Sequence, residues 1–224
     1  MRVSLIIPAL NEAKCLSRLL TEVPADGLHQ VIVVDNGSSD NTAEVARSGG
    51  ALVIDEPRRG YGFACAAGMA AAEGDVLVFM DGDGSFVPAE LTDLLMPLAE
   101  GEADLVLGSR WLKNPEQVVM PLHQRFGNGL FVWLLRRRLG LKLTDLGPYR
   151  AIRRELLVDL AMQEHTYGWP LEMIIKTARR GKRIVELPVT YRPRFAGQSK
   201  VGGTLRGSLL SGYRFFSVMV RYAI

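Results

Sequence analysis

Two aspartates, Asp81 and Asp83, follow the apolar run Val76-Leu77-Val78-Phe79-Met80 and are separated only by Gly82. Carboxylates delivered by a buried segment are costly unless water or a cation neutralises them. Hard oxygen ligands with glycines between them suit Mg²⁺ or Mn²⁺ bridging a diphosphate, where the metal stabilises a leaving group. An EF-hand does not fit, because it needs further acids and a later Glu. Asp35 opens a second motif, Asp35-Asn36-Gly37-Ser38-Ser39-Asp40-Asn41-Thr42. An acid there can accept bonds from a ribose or base edge, or close an Asx turn ahead of a helix cap. The first apolar run ends at Pro8-Ala9-Leu10-Asn11-Glu12, with no Gly-x-Gly-x-x-Gly and no Walker lysine motif. That argues against a dinucleotide oxidoreductase and a P-loop NTPase. His123 and His165 sit in no ligand pattern.

These groups must be held by strand ends. Segments 3–10, 30–36, 51–55, 75–81 and 103–109 are short and rich in Val, Ile and Leu, without polar alternation. Such runs suit strands buried on both faces of a parallel sheet. Helical stretches at 12–22, 40–48, 61–73 and 88–99 alternate with them, which predicts an α/β, doubly wound, mostly parallel sheet flanked by helices. Ligands of such sheets bind at the carboxyl ends of the strands, where the acids fall. Further on, 122–141 and 168–181 read as helices, 183–191 as a strand, and 196–212 as a Gly- and Ser-rich loop before a last helix. One domain is expected for the 224 residues, in two halves, 1–110 and 111–224.

The charge is unevenly placed. Residues from Lys176 onward hold eleven Lys and Arg against a single acid, Glu186, leaving sixteen basic and twenty-three acidic residues before them. A basic tail on an acidic body points to an anionic partner. Arg136, Arg137 and Arg138 lie beside Phe131, Trp133 and Leu134, a combination that can attract a membrane surface or pack into the core. Arg206, Arg214 and Arg221 make the last segment a poor transmembrane span. The basic residues form no nucleic-acid reading motif, so no nucleic acid is expected as a partner. Cys15 and Cys65 have no metal-ligand spacing, nothing at the start reads as a secretory signal, and a reduced cytoplasmic setting follows.

Taken in chain order, Pro8-Ala9-Leu10-Asn11-Glu12, Asp35 to Thr42, Arg59-Gly60-Tyr61-Gly62, Asp81-Gly82-Asp83, Gly108-Ser109-Arg110, Asp145-Leu146-Gly147-Pro148-Tyr149-Arg150 and Gly197-Gln198-Ser199-Lys200 form a set. By that set the chain resembles the family 2 glycosyltransferases, and among them the dolichyl- and polyprenyl-phosphate sugar (mannose) synthases. The resemblance implies a GT-A fold, an inverting transfer and a divalent metal, Mg²⁺ or Mn²⁺, held by Asp81 and Asp83. It implies a nucleotide-sugar donor such as GDP-mannose or UDP-glucose, whose nucleoside meets Pro8, Glu12 and Asp35, with Asn11, Gly37 and Gly60 also binding substrate. Arg110 would face the sugar or the acceptor phosphate, and Arg150 would also bind substrate. Arg194 and Lys200 would clamp phosphate from the C-terminal loop, with Ser199 beside them also binding substrate. Where the family usually reads Gly-Phe-Arg, this chain reads Gly147-Pro148-Tyr149-Arg150.

The expected acceptor is a polyprenyl or dolichyl phosphate, met by a peripheral enzyme at the cytoplasmic membrane face. Its phosphate oxygen is anionic at neutral pH and needs no general base. The alternative is a soluble, protein or glycan hydroxyl, which does need one. Asp145 is then the first candidate and Glu172 the second, with a helix cap or an ion pair to Arg150 as the structural role for Asp145.

Overall fold

The computed structural model of the chain describes residues 1–113, 115–118, 120–197 and 205–223. Seven strands form one sheet: β1 (Val3–Ala9), β2 (Gln30–Asp35), β3 (Leu52–Asp55), β4 (Val76–Phe79), β5 (Leu105–Ser109), β6 (Arg150–Arg153) and β7 (Ile184–Pro188). Their order is β3-β2-β1-β4-β6-β5-β7. β1 pairs in parallel with β2 and β4, β2 with β3, and β5 with β7. Only β6 runs antiparallel, inserted between β4 and β5.

The uniform apolar runs have a structural cause. Successive side chains of a strand point to opposite faces, and both faces here are covered. Ile6, Ile32, Leu77, Phe79 and Leu107 join the core cluster on one face. Leu5, Ile7, Val33, Val76, Val78 and Val106 join the cluster on the other. The second layer is closed by α1 (Ala13–Glu22), α2 (Thr42–Ser48) and α4 (Leu91–Ala99). The first is closed by α3 (Tyr61–Ala71), α5 (Leu122–Leu139), α6 (Arg154–Leu160), α7 (Trp169–Arg179) and α8 (Leu205–Tyr222).

Three departures from the sequence expectations have physical reasons. β6 was not anticipated, because Arg150-Ala151-Ile152-Arg153 is short and charged at both ends. It forms by taking the hydrogen-bonding edges that β4 and β5 offer. The helix α6 that follows it was missed with it. The stretch 196–212 is not all loop, since α8 begins at Leu205. Its glycines and serines argue for a loop, but the buried side chains of Val218 and Met219 anchor the helix to the core. Packing of one apolar face outweighs weak propensity. Among the described residues no helix is long and apolar enough to cross a membrane.

Candidate active site

The carboxyl ends of β1, β2 and β4 converge, and the loops leaving them are sewn together. Asn11, at a φ of 51°, donates its backbone N–H to Ser38 Oγ at 2.8 Å and accepts the Ser39 N–H at 2.7 Å. Glu12 N–H donates to Thr42 Oγ1 at 2.9 Å. Asp35 Oδ1 accepts the Ser38 N–H at 2.9 Å, three residues on and one further than the Asx turn that is one of its two readings in the sequence. Pro8 lies in β1 opposite Val34, one residue before Asp35 on β2.

Asn36 was quoted in the sequence motif without a role. It is buried and organises the next loop: Nδ2 donates to the carbonyls of Glu56 at 3.0 Å and Arg58 at 2.7 Å, and Oδ1 accepts the Gly60 N–H at 2.8 Å. Glu56 completes that loop. The Arg58 guanidinium, with both bonds at 2.7–2.8 Å, pulls its carboxyl down to about 2 against the opposing effect of burial. Arg59 then reaches the Gly37 carbonyl at 2.6 Å. The signal for Glu56 was its place at the end of β3, one residue before the Pro57-Arg58-Arg59-Gly60 turn.

Asp81 and Asp83 stand at the end of β4. Asp83 Oδ1 accepts the Ser85 N–H at 2.9 Å and the Ser85 hydroxyl at 2.6 Å, and Oδ2 faces Arg194 Nη1 at 3.8 Å. Burial, then the Asp83 charge, push the Asp81 carboxyl up to about 7, with Arg110 and Arg150 acting the other way. Residues 191–197 cross this strand end. Arg194 grips Glu12 with bonds of 2.8 and 2.9 Å and donates to the Ala196 carbonyl at 2.7 Å. Phe195 N–H donates to the Asp83 carbonyl at 3.0 Å, and its ring lies between the Arg18 and Arg192 guanidinium groups, 4.1 and 4.4 Å from its centre. Gly84 has a φ of 78° and lies under that ring, so a side chain there would meet both backbone strain and Phe195.

Asp145 occupies a third position, at 1% exposure. Arg110 grips it bidentately, with both bonds at 2.7 Å, and also donates its backbone N–H at 3.0 Å. The Leu146 N–H adds a bond of 2.8 Å. The Asp145 N–H in turn donates to Glu186 at 2.9 Å, and burial raises the Glu186 carboxyl. The expected structural role is therefore corrected. Asp145 pairs with Arg110 rather than Arg150, because Arg110 emerges from the end of β5 directly facing it.

Arg150 lies in the interior, also at 1% exposure, donating to the carbonyls of Gly147 and of Pro170, the latter at 2.9 Å. Among the described residues its Nε has no partner, and burial lowers its pKa. It backs the floor beneath Asp81 and does not line its opening. Glu172, the second candidate base, is fully buried, ion-paired with Lys176 at 2.6 Å and bonded to the N–H groups of Gln163 and Glu164. It pins a loop ahead of α7. The structure thus gathers Pro8, Asn11, Glu12, Asp35, Gly37, Gly60, Asp81, Asp83, Arg110, Asp145 and Arg194 around the strand ends. Ser199 and Lys200 lie outside the described residues.

The mostly parallel, helix-covered sheet has the GT-A fold of solved glycosyltransferase structures. The family model "Glycosyl transferase family 2" matches residues 4–160, and the chain belongs to that family. It is 41% identical to an uncharacterised glycosyltransferase of Mycobacterium tuberculosis over 217 residues, 97% of each chain. To an undecaprenyl-phosphate mannosyltransferase of Micrococcus luteus it is 36% identical over 239 residues, covering 99% of this chain and 96% of the relative. Among solved structures, glucosyl-3-phosphoglycerate synthase of Mycobacterium tuberculosis superposes with a TM-score of 0.79 at 24% identity, over 99% of this chain and 80% of that one. That crystal contains Mn²⁺, UDP and glucosyl-3-phosphoglycerate.

Proposed function

We propose that this glycosyltransferase moves a hexose from a nucleoside-diphosphate sugar to a polyprenyl or dolichyl phosphate, with inversion, as a peripheral enzyme at the cytoplasmic membrane face. The observation that carries the choice of acceptor is the sealed state of Asp145. A hydroxyl acceptor requires a base within hydrogen-bond reach. Asp145 instead receives four N–H groups, and Glu172 is buried with Lys176. A lipid phosphate brings its own anionic oxygen and needs neither. The likeness to the undecaprenyl-phosphate mannosyltransferase over almost its whole length supports the same acceptor class.

Within this reading the chain works as one catalytic unit, with 1–110 binding the donor and 111–224 the acceptor. Pro8, Asn11, Glu12, Asp35, Gly37 and Gly60 hold the nucleoside. Asp81 and Asp83 fit a divalent cation, Mg²⁺ or Mn²⁺. Burial first, and the Asp83 charge second, push Asp81 up to about 7, a cost that a cation held by the two carboxylates would offset. When bound, that cation would stabilise the charge developing on the departing diphosphate. Arg110, fixed by Asp145, presents a permanent positive charge toward the acceptor phosphate. Arg194, with Ser199 and Lys200, binds diphosphate oxygens, and Arg150 steadies the floor from behind.

A turnover assay tests this. The protein is given UDP- and GDP-sugars with Mg²⁺ or Mn²⁺, with and without a polyprenyl phosphate, and released nucleoside diphosphate is measured. Release that requires the lipid phosphate and disappears in Asp83→Ala is expected. Release driven by a soluble hydroxyl acceptor in its place would replace the acceptor and restore a base to the mechanism.

A further inference from the structure

We propose that the outer faces of α5 and α8 form one docking surface for an anionic lipid bilayer. The proposal deepens the lipid-phosphate acceptor reading and rests on it for its purpose, since a bilayer-bound acceptor must be met at the bilayer. Leu122, Phe126, Leu130 and Trp133 recur at helical spacing along one stripe of α5 and are exposed, Phe126 by 74%. Phe131 and Leu135, on the opposite face, are buried. On α8, Leu210, Tyr213, Phe216 and Val220 form an exposed apolar stripe, while Val218 and Met219 face inward. The two helices touch through Phe131 and Phe215, whose rings meet edge-on at 5.2 Å. Eight of the thirteen large apolar side chains exposed among the described residues belong to this pair. Such concentration marks an interaction surface, where scattered single residues would not.

Charge identifies the occupant. The 36 residues of α5 and α8 contain seven arginines and no Asp or Glu. Among the described residues, ion pairs join none of Arg136, Arg137, Arg138, Arg214 and Arg221 to an acid, and all five are exposed. Two copies of the chain meeting through this face would set like charges together, since a two-fold interface pairs a surface with itself. A leaflet of anionic lipids supplies the missing negative charge and accepts the apolar stripe at once. At the end of the α5 stripe Trp133, Leu134, Arg137 and Arg138 line an open cavity of about 510 Å³, where an apolar wall meets two guanidinium groups. That combination matches a lipid headgroup phosphate with its first acyl carbons.

The test is co-sedimentation of the full chain with vesicles of phosphatidylcholine alone or mixed with phosphatidylglycerol. Turnover is measured in parallel on a short, water-soluble prenyl phosphate. Binding should need phosphatidylglycerol, weaken with added salt, and fall about tenfold or more in a Phe126→Asp/Trp133→Asp variant and in an Arg136→Gln/Arg137→Gln/Arg138→Gln variant. Both variants should keep wild-type circular dichroism and turn over the soluble acceptor within about twofold of wild type, because neither set belongs to the cleft. Absence of wild-type binding to both vesicle types overturns the docking surface and leaves the acceptor reading standing. So does variant binding that matches wild type. A dimer in solution that Phe126→Asp dissociates would assign the face to a second copy. Loss of prenyl-phosphate turnover with vesicle binding intact would remove the acceptor reading and not the surface.

Discussion

Two arginine–carboxylate pairs flank the Asp81–Asp83 floor, and they are built differently. Arg110 and Asp145 come from the end of β5 and the loop before β6, and backbone N–H groups of Arg110 and Leu146 complete the carboxylate's bonding. Arg194 reaches both Glu12 oxygens through a single nitrogen, Nη2, and it sits on the segment crossing the site and faces Asp83 at 3.8 Å as well. The first pair is locked in place by the four N–H groups on its carboxylate. The second is shared among acids that a donor and its cation would engage. A fixed pair sets geometry, whereas a shared arginine can exchange one anion for another.

The sharpest test of that contrast is Asp145→Asn. Removing one partner of a buried pair strands the other charge, at a cost of about 3–5 kcal/mol. Urea unfolding should show that loss, and the pH profile of kcat should keep its acidic limb. Unchanged stability together with a vanished acidic limb would make Asp145 a general base and dissolve the contrast. On the open side, Asp83→Ala should behave in the opposite way. Turnover should fall by about 10²–10³, the usual consequence of losing one charge-stabilising group. Unfolding should move little, because Asp83 is partly exposed and bonds only a local turn through Ser85. An Asp83→Ala enzyme that unfolds easily yet still turns over would reverse the two roles.

The open side was the more legible of the two in the sequence. Asp35, Asp81 and Asp83 announce themselves because each ends a buried apolar run, where an acid needs a reason. Most strands were readable for the same cause: a sheet covered on both faces demands unbroken apolar segments. The sealed side was not legible in that way. Asp145 is 35 residues from Arg110, and their pairing depends on β6 inserting antiparallel between β4 and β5. Arg150 reads as a cleft residue by its motif but is drawn inward by that same strand. Asn36 bonds backbone groups some twenty residues away, and such partners leave no periodic trace, while the Glu56 carboxylate bonds Arg58 two residues on, inside a turn with no periodicity to read.

The two sides should also differ in their response to pH. The Asp81 carboxyl is raised to about 7, above its ordinary value of 3.8. Between those values the folded, metal-free protein therefore holds more protons than the unfolded chain, and its stability falls as pH rises through the window. Thermal unfolding followed from pH 4 to 7 should show a declining Tm, flattened in Asp81→Asn. Mn²⁺ or Mg²⁺ should recover the loss above pH 7, since a cation binding only the folded state stabilises it. A Tm that climbs steadily to pH 7 in wild type would mean the acids at this floor are already neutralised by their arginines.

Arg194→Ala provides the smallest effect and the finest discrimination. The pair with Glu12 is part-exposed, so its removal should cost no more than about 1 kcal/mol of stability, the range of pairs that water still screens. Its effect on the donor should be larger than on the fold. Glu12 and Asp83 would lose a cation they share, and the diphosphate would lose one binding arginine, so KM for the nucleotide sugar should rise about tenfold while kcat changes less. Arg194→Lys separates charge from shape: a point charge can still neutralise Glu12 or Asp83 but cannot face Glu12, Asp83 and the Ala196 carbonyl at once through three nitrogens of one planar group. Recovery of KM by lysine would mean that charge exchange is what matters at this position. No recovery would mean that the planar group's joint hold on Glu12 and the Ala196 carbonyl keeps the crossing segment over the site, and Arg194 would then belong with Arg110 as a fixed element.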